Sequence, residues 1–262
     1  MENKLFDFEI YGGSDVGLAR ENNEDSIGYE LFNNTEIALA IVADGVGGYE
    51  GGEVASDIAV KIIKESVRKA VLLAKSGAGY SELWMQQVLL NSFEEANQEI
   101  IHQQTLNREL IKMASTVVAL MCRENQLVLS HYGDSRCYMW RNNQLTQLTK
   151  DHSIAQQMLD DGVLSEENYR MSPYQHIISH ALGLEKIIDA ETIQYQIEDK
   201  DVFLLCSDGL TNCLEDGMIA DVIKNHTDIQ LCTEELISRA NDAGGVDNIS
   251  VVLVNCVAAE KF

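Results

Sequence analysis

The sequence predicts an α+β fold in which antiparallel sheets carry their helices on the outside. Unbroken apolar runs such as residues 37–43 are typical of strands that are covered on both faces. Most connections between strand-like runs are short, which favours antiparallel pairing. Segments with helical spacing come in pairs between the groups of strands, so we expect the helices to pack against the outer faces of the sheets.

The first hundred residues predict three strands followed by two long helices. The strands cover residues 5–16, 26–32 and 37–44, and the helices cover about 52–74 and about 81–104. The second and third strands are expected to form a hairpin through a turn at Asn33 and Asn34. In the helices, apolar residues recur at spacings of three and four, as in a helix that packs one face on a sheet.

The remainder of the chain predicts more strands, a long irregular segment and three shorter helices. Strands are expected at 115–121, 126–132, 136–140, 144–148, 188–197, 202–206 and 249–256, and helices at 151–160, about 215–224 and about 233–242. The four strands between residues 115 and 148 are joined by tight polar turns, which predicts a meander. Residues 162–183 show little periodicity, and an irregular segment of this length predicts a flap or lid with a functional role.

Composition limits the classes of protein that the chain can belong to. The 262 residues are 45% hydrophobic and contain one proline, no repeat and no spacer, which predicts a single domain over residues 1–262. A formal net charge of −23 argues against nucleic acid or an anionic membrane as a partner. The six cysteines form no Cys-x-x-Cys pair, and the chain has no signal peptide or long apolar run, so we expect a cytoplasmic protein without structural zinc.

Several acidic residues lie where apolar runs end or begin. Asp44 and Asp208 follow buried runs and precede glycines, Asp134 lies in a turn after a third run, and Asp247 precedes a fourth. An unpaired carboxylate beside a core costs several kcal/mol, so each needs a cation, hydrogen bonds or open water. If these strands share one core, four aspartates converge, and oxygen-rich clusters of this kind bind hard divalent cations.

The turn before the second strand adds further polar side chains to this group. The predicted hairpin brings Glu24 and Asp25 to the same sheet edge as Asp44. Gly45 follows Asp44 and allows the backbone to approach a bound group, so its carbonyl can reach a ligand. These residues predict a composite site.

Five motifs in order resemble those of the metal-dependent PPM (type 2C) protein serine/threonine phosphatases of bacterial type. They are Arg20-x-x-Asn23-Glu24-Asp25, Asp44-Gly45-x-Gly47-Gly48, Gly133-Asp134-Ser135-Arg136, Ser207-Asp208-Gly209-Leu210 and Asp247-Asn248. The resemblance spans residues 12–255. It implies a four-layer α-β-β-α sandwich of two antiparallel sheets with the metal site between their strand ends.

The resemblance also implies a set of metal ligands. Asp44 would bridge two Mn²⁺ or Mg²⁺ ions, Asp208 and Asp247 would complete the ligands of one ion, and Glu24 with the Gly45 carbonyl would serve the other. Asp134, together with Asp208, would hold a third and weaker ion. A hydroxide that bridges the two main ions would attack phosphorus, so no protein nucleophile is needed.

The catalytic residues that the resemblance implies are Asp44, Arg20 and Asp25. Arg20 would hold the phosphate oxygens with two parallel hydrogen bonds, and Asp25 would accept a hydrogen bond from metal-bound water. The chain departs from some relatives at two positions, having Val46 where many eukaryotic members have a histidine and Asn212 where some have an aspartate. The acid that protonates the leaving alcohol is thus unassigned, with metal-bound water as our hypothesis, and the third ion is expected to bind weakly.

Simpler interpretations remain open for single residues. Asp-Gly pairs also form ordinary turns or helix caps, and Arg20 is of a type that often makes surface ion pairs. The histidines lack metal-binding spacing, although His176 or His180 in the predicted flap could contact substrate.

The leading functional hypothesis is metal-dependent hydrolysis of phosphoserine and phosphothreonine in proteins, opposing a serine/threonine kinase. A small-molecule phosphoesterase and a non-catalytic phosphoprotein-binding module of the same fold are the alternatives. The flap, which resembles the variable flap of the family over residues 171–183, is expected to contact the substrate protein.

Overall fold

The computed structural model describes residues 5–32, 36–47, 51–74, 80–169 and 172–259. Its strands are β1 (Phe6–Asp15), β2 (Asp25–Phe32), β3 (Ile37–Val46), β4 (Ala114–Ser115), β5 (Val117–Arg123), β6 (Gln126–Tyr132), β7 (Arg136–Arg141), β8 (Gln144–Gln147), β9 (Glu191–Gln196), β10 (Val202–Cys206) and β11 (Ile249–Ala258). Its helices are α1 (Gly52–Leu73), α2 (Glu82–Leu106), α3 (Ile154–Asp160), α4 (Glu166–Tyr169), α5 (Asp208–Cys213), α6 (Asp216–Asn225) and α7 (Ile229–Asp242), with a 3₁₀ turn at Arg108–Leu110.

The strands form two antiparallel sheets. The first sheet has the order β1-β11-β10-β7-β8, and the second has the order β2-β3-β5-β6-β9 with β4 paired to the end of β3. Buried residues of both sheets belong to one apolar cluster, in which Phe203 and Val254 of the first sheet meet Ala38 and Leu127 of the second. The two sheets therefore pack face to face.

Helices cover the outer face of each sheet. Helices α1 and α2 pack on the second sheet, where Ile63 and Phe93 join the cluster that contains Leu39. Helices α6 and α7 pack on the first sheet through Ile219 and Leu236. The α-β-β-α sandwich expected from the sequence is confirmed.

The central position of strand β3 in this fold explains why its sequence is an apolar run without alternation. Residues Ile37, Leu39 and Ile41 face α1 and α2, whereas Ala38 and Ala40 face the other sheet. Residues 37–43 are all completely buried, and each large aliphatic side chain contributes roughly 1.5–3 kcal/mol by leaving water. A strand covered on both faces needs apolar side chains at every position, as the sequence indicates.

The predicted meander between residues 115 and 148 is wrong in one respect. Strands β5 and β6 pair in the second sheet and β7 and β8 pair in the first, so β6 and β7 are not neighbours. The turn at residues 133–135 carries the chain from one sheet to the other, with Gly133 at a φ of +126°. Such a short polar turn looks like a hairpin in the sequence, but here it bridges two stacked sheets.

Other elements differ from the prediction at their ends. Helix α7 begins at Ile229 rather than at residue 233, and the short helix α5 and strand β4 were not predicted. The predicted turn at Asn33 and Asn34 lies outside the described residues. The assignment of residues 1–262 to one domain stays a prediction. Among the described residues, the structure contains no helix with the length and hydropathy that a membrane span requires.

Candidate metal centre and active site

A cavity of about 470 Å³ opens where strand ends of both sheets meet. Seven of the eight residues predicted for the site line it, namely Arg20, Glu24, Asp44, Gly45, Asp134, Asp208 and Asp247. The eighth, Asp25, is buried directly behind this wall. The structure thus brings together side chains that are up to 227 positions apart in the chain.

The hairpin of β2 and β3 positions the central pair of carboxylates. Asp25 and Asp44 are directly opposite each other in the register of the two strands. Ser207 donates a hydrogen bond of 2.7 Å from its hydroxyl to Oδ2 of Asp25. Asp44 is held through its backbone, since its N–H donates to Oγ1 of Thr116 and its carbonyl accepts from the Thr116 N–H.

Backbone hydrogen bonds fix Glu24 beside Gly45. The Gly45 N–H donates to the Glu24 carbonyl at 3.1 Å, and the Glu24 N–H donates to Oδ1 of Asn248 at 2.8 Å. The Glu24 side chain lies against Gly52, where an added Cβ would come within 2.5 Å of its Oε2. The glycine at the start of α1 therefore makes room for this carboxylate.

Asp208 and Asp247 reach the cavity from the first sheet. Asp208 is the first residue of α5, directly beyond the end of β10, and Asn212 donates to its Oδ2 at 3.0 Å. Asp247 precedes β11, and its Oδ1 accepts from the N–H of Asn248. The Asn248 side chain also donates to two carbonyls of the segment between β1 and β2, which ties this segment to the strand end.

Asp134 lies in the turn that connects the sheets, and it is 7% exposed. Burial raises its pKa well above the usual value, and the Asp208 charge adds to this effect. Next to it, the hydroxyls of Ser135 and Thr116 are 2.7 Å apart. Asp134 thus lines the same cavity as Asp44.

The acidic cluster is electrostatically strained without a cation. Burial raises the pKa of Asp44 well above the usual range, and charges of Asp25, Asp208, Asp134 and Asp247 raise it further. Burial also raises the pKa of Asp25 to about 7. Carboxylates in this arrangement repel each other unless positive charge is placed between them, and the donor atoms are all oxygen. The residues present therefore fit a centre for hard divalent cations.

Arg20 is the arginine that lines this cavity among the described residues. Its Nη2 donates to Oδ2 of Asp247 at 2.7 Å, and half of its side chain is exposed. The ion pair considered for this residue is thus present, but its partner is a residue of the predicted site. Arg20 therefore lies at the mouth of the cavity, within reach of a group bound there.

Comparison with known proteins identifies the family of the chain. The family model for protein phosphatase 2C matches residues 19–237. The chain belongs to the protein phosphatase 2C family. Serine/threonine phosphatase stp of Listeria monocytogenes serotype 4b is 35% identical over 249 residues, which cover 95% of this chain and 96% of that protein.

Solved structures of similar proteins share the whole fold. The S. agalactiae serine/threonine phosphatase has a TM-score of 0.84 at 30% identity, covering 94% of this chain and 98% of that one. The catalytic domain of serine threonine protein phosphatase PstP, in complex with 2 manganese ions, has a TM-score of 0.80 at 30% identity, covering 96% and 99%. The family resemblance seen in the sequence motifs is confirmed. The prediction that the chain is a protein serine/threonine phosphatase is confirmed with it.

For several residues that hold the site of this phosphatase 2C chain, the sequence predicted no role. Ser207 supports Asp25, and Thr116 and Ser115 support the backbone of Asp44. Their common signal is a hydroxyl residue at the end of an apolar run. The role of Asn248 as a clamp could not be found this way, because its partners lie more than 220 positions away.

Proposed function

We propose that the chain hydrolyses phosphoserine and phosphothreonine in proteins, at the cavity between the two sheets. The observation that carries this proposal is the convergence of buried, mutually repelling carboxylates on one open cavity with an arginine at its mouth. Such a cluster attracts divalent cations, and the arginine attracts the phosphate dianion.

The metal ligands are proposed as follows. Asp44 would contact two ions, Asp208 and Asp247 would complete one of them, and the Glu24 side chain with the Gly45 carbonyl would serve the other. Mn²⁺ and Mg²⁺ both fit an all-oxygen ligand set, and 2 manganese ions are present in the PstP catalytic domain. When bound, such ions supply Lewis acidity and lower the pKa of a coordinated water.

A third ion at Asp134 is proposed as the weakest of the set. Asp134 and Asp208 face each other closely enough for their charges to interact. Asn212 donates to Oδ2 of Asp208 and so occupies one of the oxygens that this ion would need. A neutral amide at this position contributes no charge, which is why we expect low affinity.

The protein's own residues bind and orient the reactants. Arg20 would bind two phosphate oxygens with its guanidinium, whose planar fork matches them better than an ammonium group does. Asp25, held by the Ser207 hydroxyl, would orient the attacking water as an acceptor behind Asp44. Val46, which is 38% exposed at the rim, offers no proton to a leaving group.

Protein substrates are favoured over small phosphoesters by the shape and lining of the cavity. It is open, and its described lining contains no tyrosine, tryptophan or phenylalanine against which a small ligand could stack. We propose phosphoproteins as substrates, a serine/threonine kinase as the enzyme that is opposed, and the cytoplasm as the location. The net charge of −23 disfavours nucleic acid as a partner.

The test is release of phosphate from a phosphothreonine peptide with Mn²⁺, with and without a chelator, by the wild type and by Asp44→Asn. Asp57→Asn, which neutralises an exposed aspartate on α1, is the matched control. We expect the chelator and Asp44→Asn to abolish turnover and Asp57→Asn to leave it intact. Turnover by Asp44→Asn at the wild-type rate would eliminate the metal mechanism. Activity confined to small esters would favour the phosphoesterase alternative. Binding of the phosphopeptide without turnover would favour the non-catalytic binding module.

A further inference from the structure

Among the described residues that line the cavity of the candidate metal centre, one carries an imidazole. His176 lines the cavity together with Asp44 and Asp208. It also lines a smaller cavity of about 30 Å³ that continues from Asp134 toward Tyr169. We propose that His176, rather than the metal-bound water considered from the sequence, is the general acid that protonates the departing serine or threonine oxygen, an inference that rests on the proposed function.

The backbone around His176 is fixed to the body of the protein. The N–H of Ile154 donates to the Ile177 carbonyl at 2.9 Å, and the N–H of Ser179 donates to the His152 carbonyl at 2.8 Å. On the other side, the Gln175 side chain donates to the Tyr169 carbonyl at 2.6 Å. His176 is thus exposed but held at a defined place above the cavity, as a catalytic side chain must be.

The electrostatic interaction between His176 and Asp208 shows that this imidazole lies close to the acidic cluster. Burial and the Asp247 charge raise the pKa of Asp208, and His176 is among the groups that counteract this rise. The imidazole therefore lies beside the carboxylates that would hold the ions.

Apart from the carboxylates that are assigned to the ions, the other side chains on the cavity wall are poor proton donors. Arg20 does not release its proton near neutral pH, and the Thr116 hydroxyl is engaged with Ser135 and the backbone of Asp44. Val46 is apolar, and the amide of Asn212 is not acidic. Histidine is the residue type whose ordinary titration range includes neutral pH, so among the described lining residues His176 is the suitable acid.

Hydrolysis of the phosphoester with His176 as the acid conserves protons and electron pairs. A water oxygen forms the new bond to phosphorus and gives its proton to solvent, while the bond between phosphorus and the ester oxygen breaks. The electron pair of that bond stays on the serine or threonine oxygen, which takes a proton from the His176 imidazolium. The products are the free alcohol and phosphate, and His176 is protonated again from solvent because its side chain is exposed.

The test compares two substrates that differ in their need for an acid. An alkoxide is a poor leaving group and must be protonated, whereas nitrophenolate leaves without a proton. We expect His176→Gln to lower kcat on a phosphothreonine peptide by about 10²- to 10⁴-fold, the usual contribution of general acid catalysis. With p-nitrophenyl phosphate the same variant should retain nearly the wild-type kcat. Across a series of aryl phosphates, its rates should depend more steeply on the leaving-group pKa.

Two further histidine variants, one binding measurement and one stability measurement serve as controls. His180→Gln changes a neighbouring side chain that packs on Tyr132 and His152. If this variant damages the flap, it should lower the activities on the peptide and on p-nitrophenyl phosphate equally. His102→Gln changes an exposed histidine on α2 and should have no effect. Binding of Mn²⁺ by calorimetry and the Tm of His176→Gln should equal those of the wild type.

Equal losses on both substrates, or full activity of His176→Gln on the peptide, would overturn the inference while leaving the proposed function intact. Absence of turnover by the wild type on both substrates would instead refute the proposed function.

Discussion

Arg20 binds a carboxylate of the candidate metal centre, at a contact that a phosphate group would compete for. With Arg20→Lys, the forked pair of hydrogen bonds becomes a point contact, so we expect KM for a phosphothreonine peptide to rise about tenfold with a smaller change in kcat. Steady-state kinetics with Mn²⁺ measures both. Arg68→Lys, which alters a surface arginine bound to both oxygens of Glu30, is the control. An unchanged KM would show that Arg20 does not bind the phosphate.

Asp44 lies beside other carboxylates, and its ionised form is costly when no cation is bound. Burial and the neighbouring charges raise the pKa of Asp44 above its value in the unfolded chain. The cost of ionising Asp44 therefore appears as the pH rises above the pKa of the unfolded chain, and it is large at pH 8. In chelator at pH 8, we therefore expect Asp44→Asn to raise the free energy of unfolding by about 1–2 kcal/mol. Denaturant unfolding measures this change.

Saturating Mn²⁺ should reverse the order of stability of the two proteins. Binding at 100 times Kd stabilises the wild type by about 2.7 kcal/mol, and the variant has lost the carboxylate that the two ions are proposed to share. A less stable Asp44→Asn in chelator would contradict the account of the acidic cluster.

Four aspartates of the candidate site were predictable because each lies beside the end or the start of an apolar run. Asp44 and Asp208 follow buried strands, and a charge at such a place needs compensation. The supporting residues were not predictable in the same way. Ser207 contacts Asp25 across 182 positions, and a serine after a strand has many other possible roles. Its function depends on a partner that only the fold brings near.

At the scale of elements, the exit of β3 packs tightly on the start of α1. A Cβ added at Gly45 would lie 2.1 Å from the Gly52 carbonyl oxygen and 2.4 Å from that of Glu24. Because these are backbone atoms that cannot move aside cheaply, Gly45→Ala should cost at least about 3 kcal/mol of stability and weaken Mn²⁺ binding. Thermal unfolding and calorimetry measure the two effects.

Gly217→Ala is the matched control for this substitution. Gly217 lies in α6 with no atom within 4 Å of an added Cβ, so alanine should be neutral or stabilise the helix by up to about 1 kcal/mol. If Gly45→Ala behaves like Gly217→Ala, the close packing of β3 on α1 does not position the site.

Most elements could be predicted from hydrophobic spacing, but their partners could not. The run at residues 202–206 predicts β10 correctly, yet nothing in it tells that β7 and β11 are its neighbours. The turn around Gly133 shows the same limit, since a short glycine turn serves both a hairpin and a crossing between sheets. Helix α5 is only six residues long and was too short for its period to be recognised.

At the scale of the whole molecule, a group of histidines makes stability depend on pH. His152 stacks on His131 and contacts His180, and its Nε2 lies 3.4 Å from Oε1 of Glu191. Burial lowers the pKa of His152 to about 4, the two other imidazoles lower it too, and Glu191 opposes them. The backbone of His152 also joins the turn at Gly133 to the segment that carries His176.

The sign of the pH effect follows from this lowered pKa. Between about pH 6.5 and about pH 4 the unfolded chain binds a proton at His152 that the folded protein does not, so stability falls as the pH falls. We expect a loss on the order of 2 kcal/mol over this range, absent in His152→Gln and retained in His102→Gln. Denaturant unfolding at several pH values measures it. Identical pH dependence of the wild type and His152→Gln would exclude His152 as the cause.

Strand β11 occupies an interior position of its sheet, between β1 and β10, although it follows every other described strand in the chain. During synthesis the ribosome therefore releases β1 long before β11 has been made, and Asp247 is made together with β11. Pairing over more than 230 positions has a high contact order, which slows folding. A nascent chain that lacks this strand should consequently remain inactive and dependent on chaperones until the strand has been made.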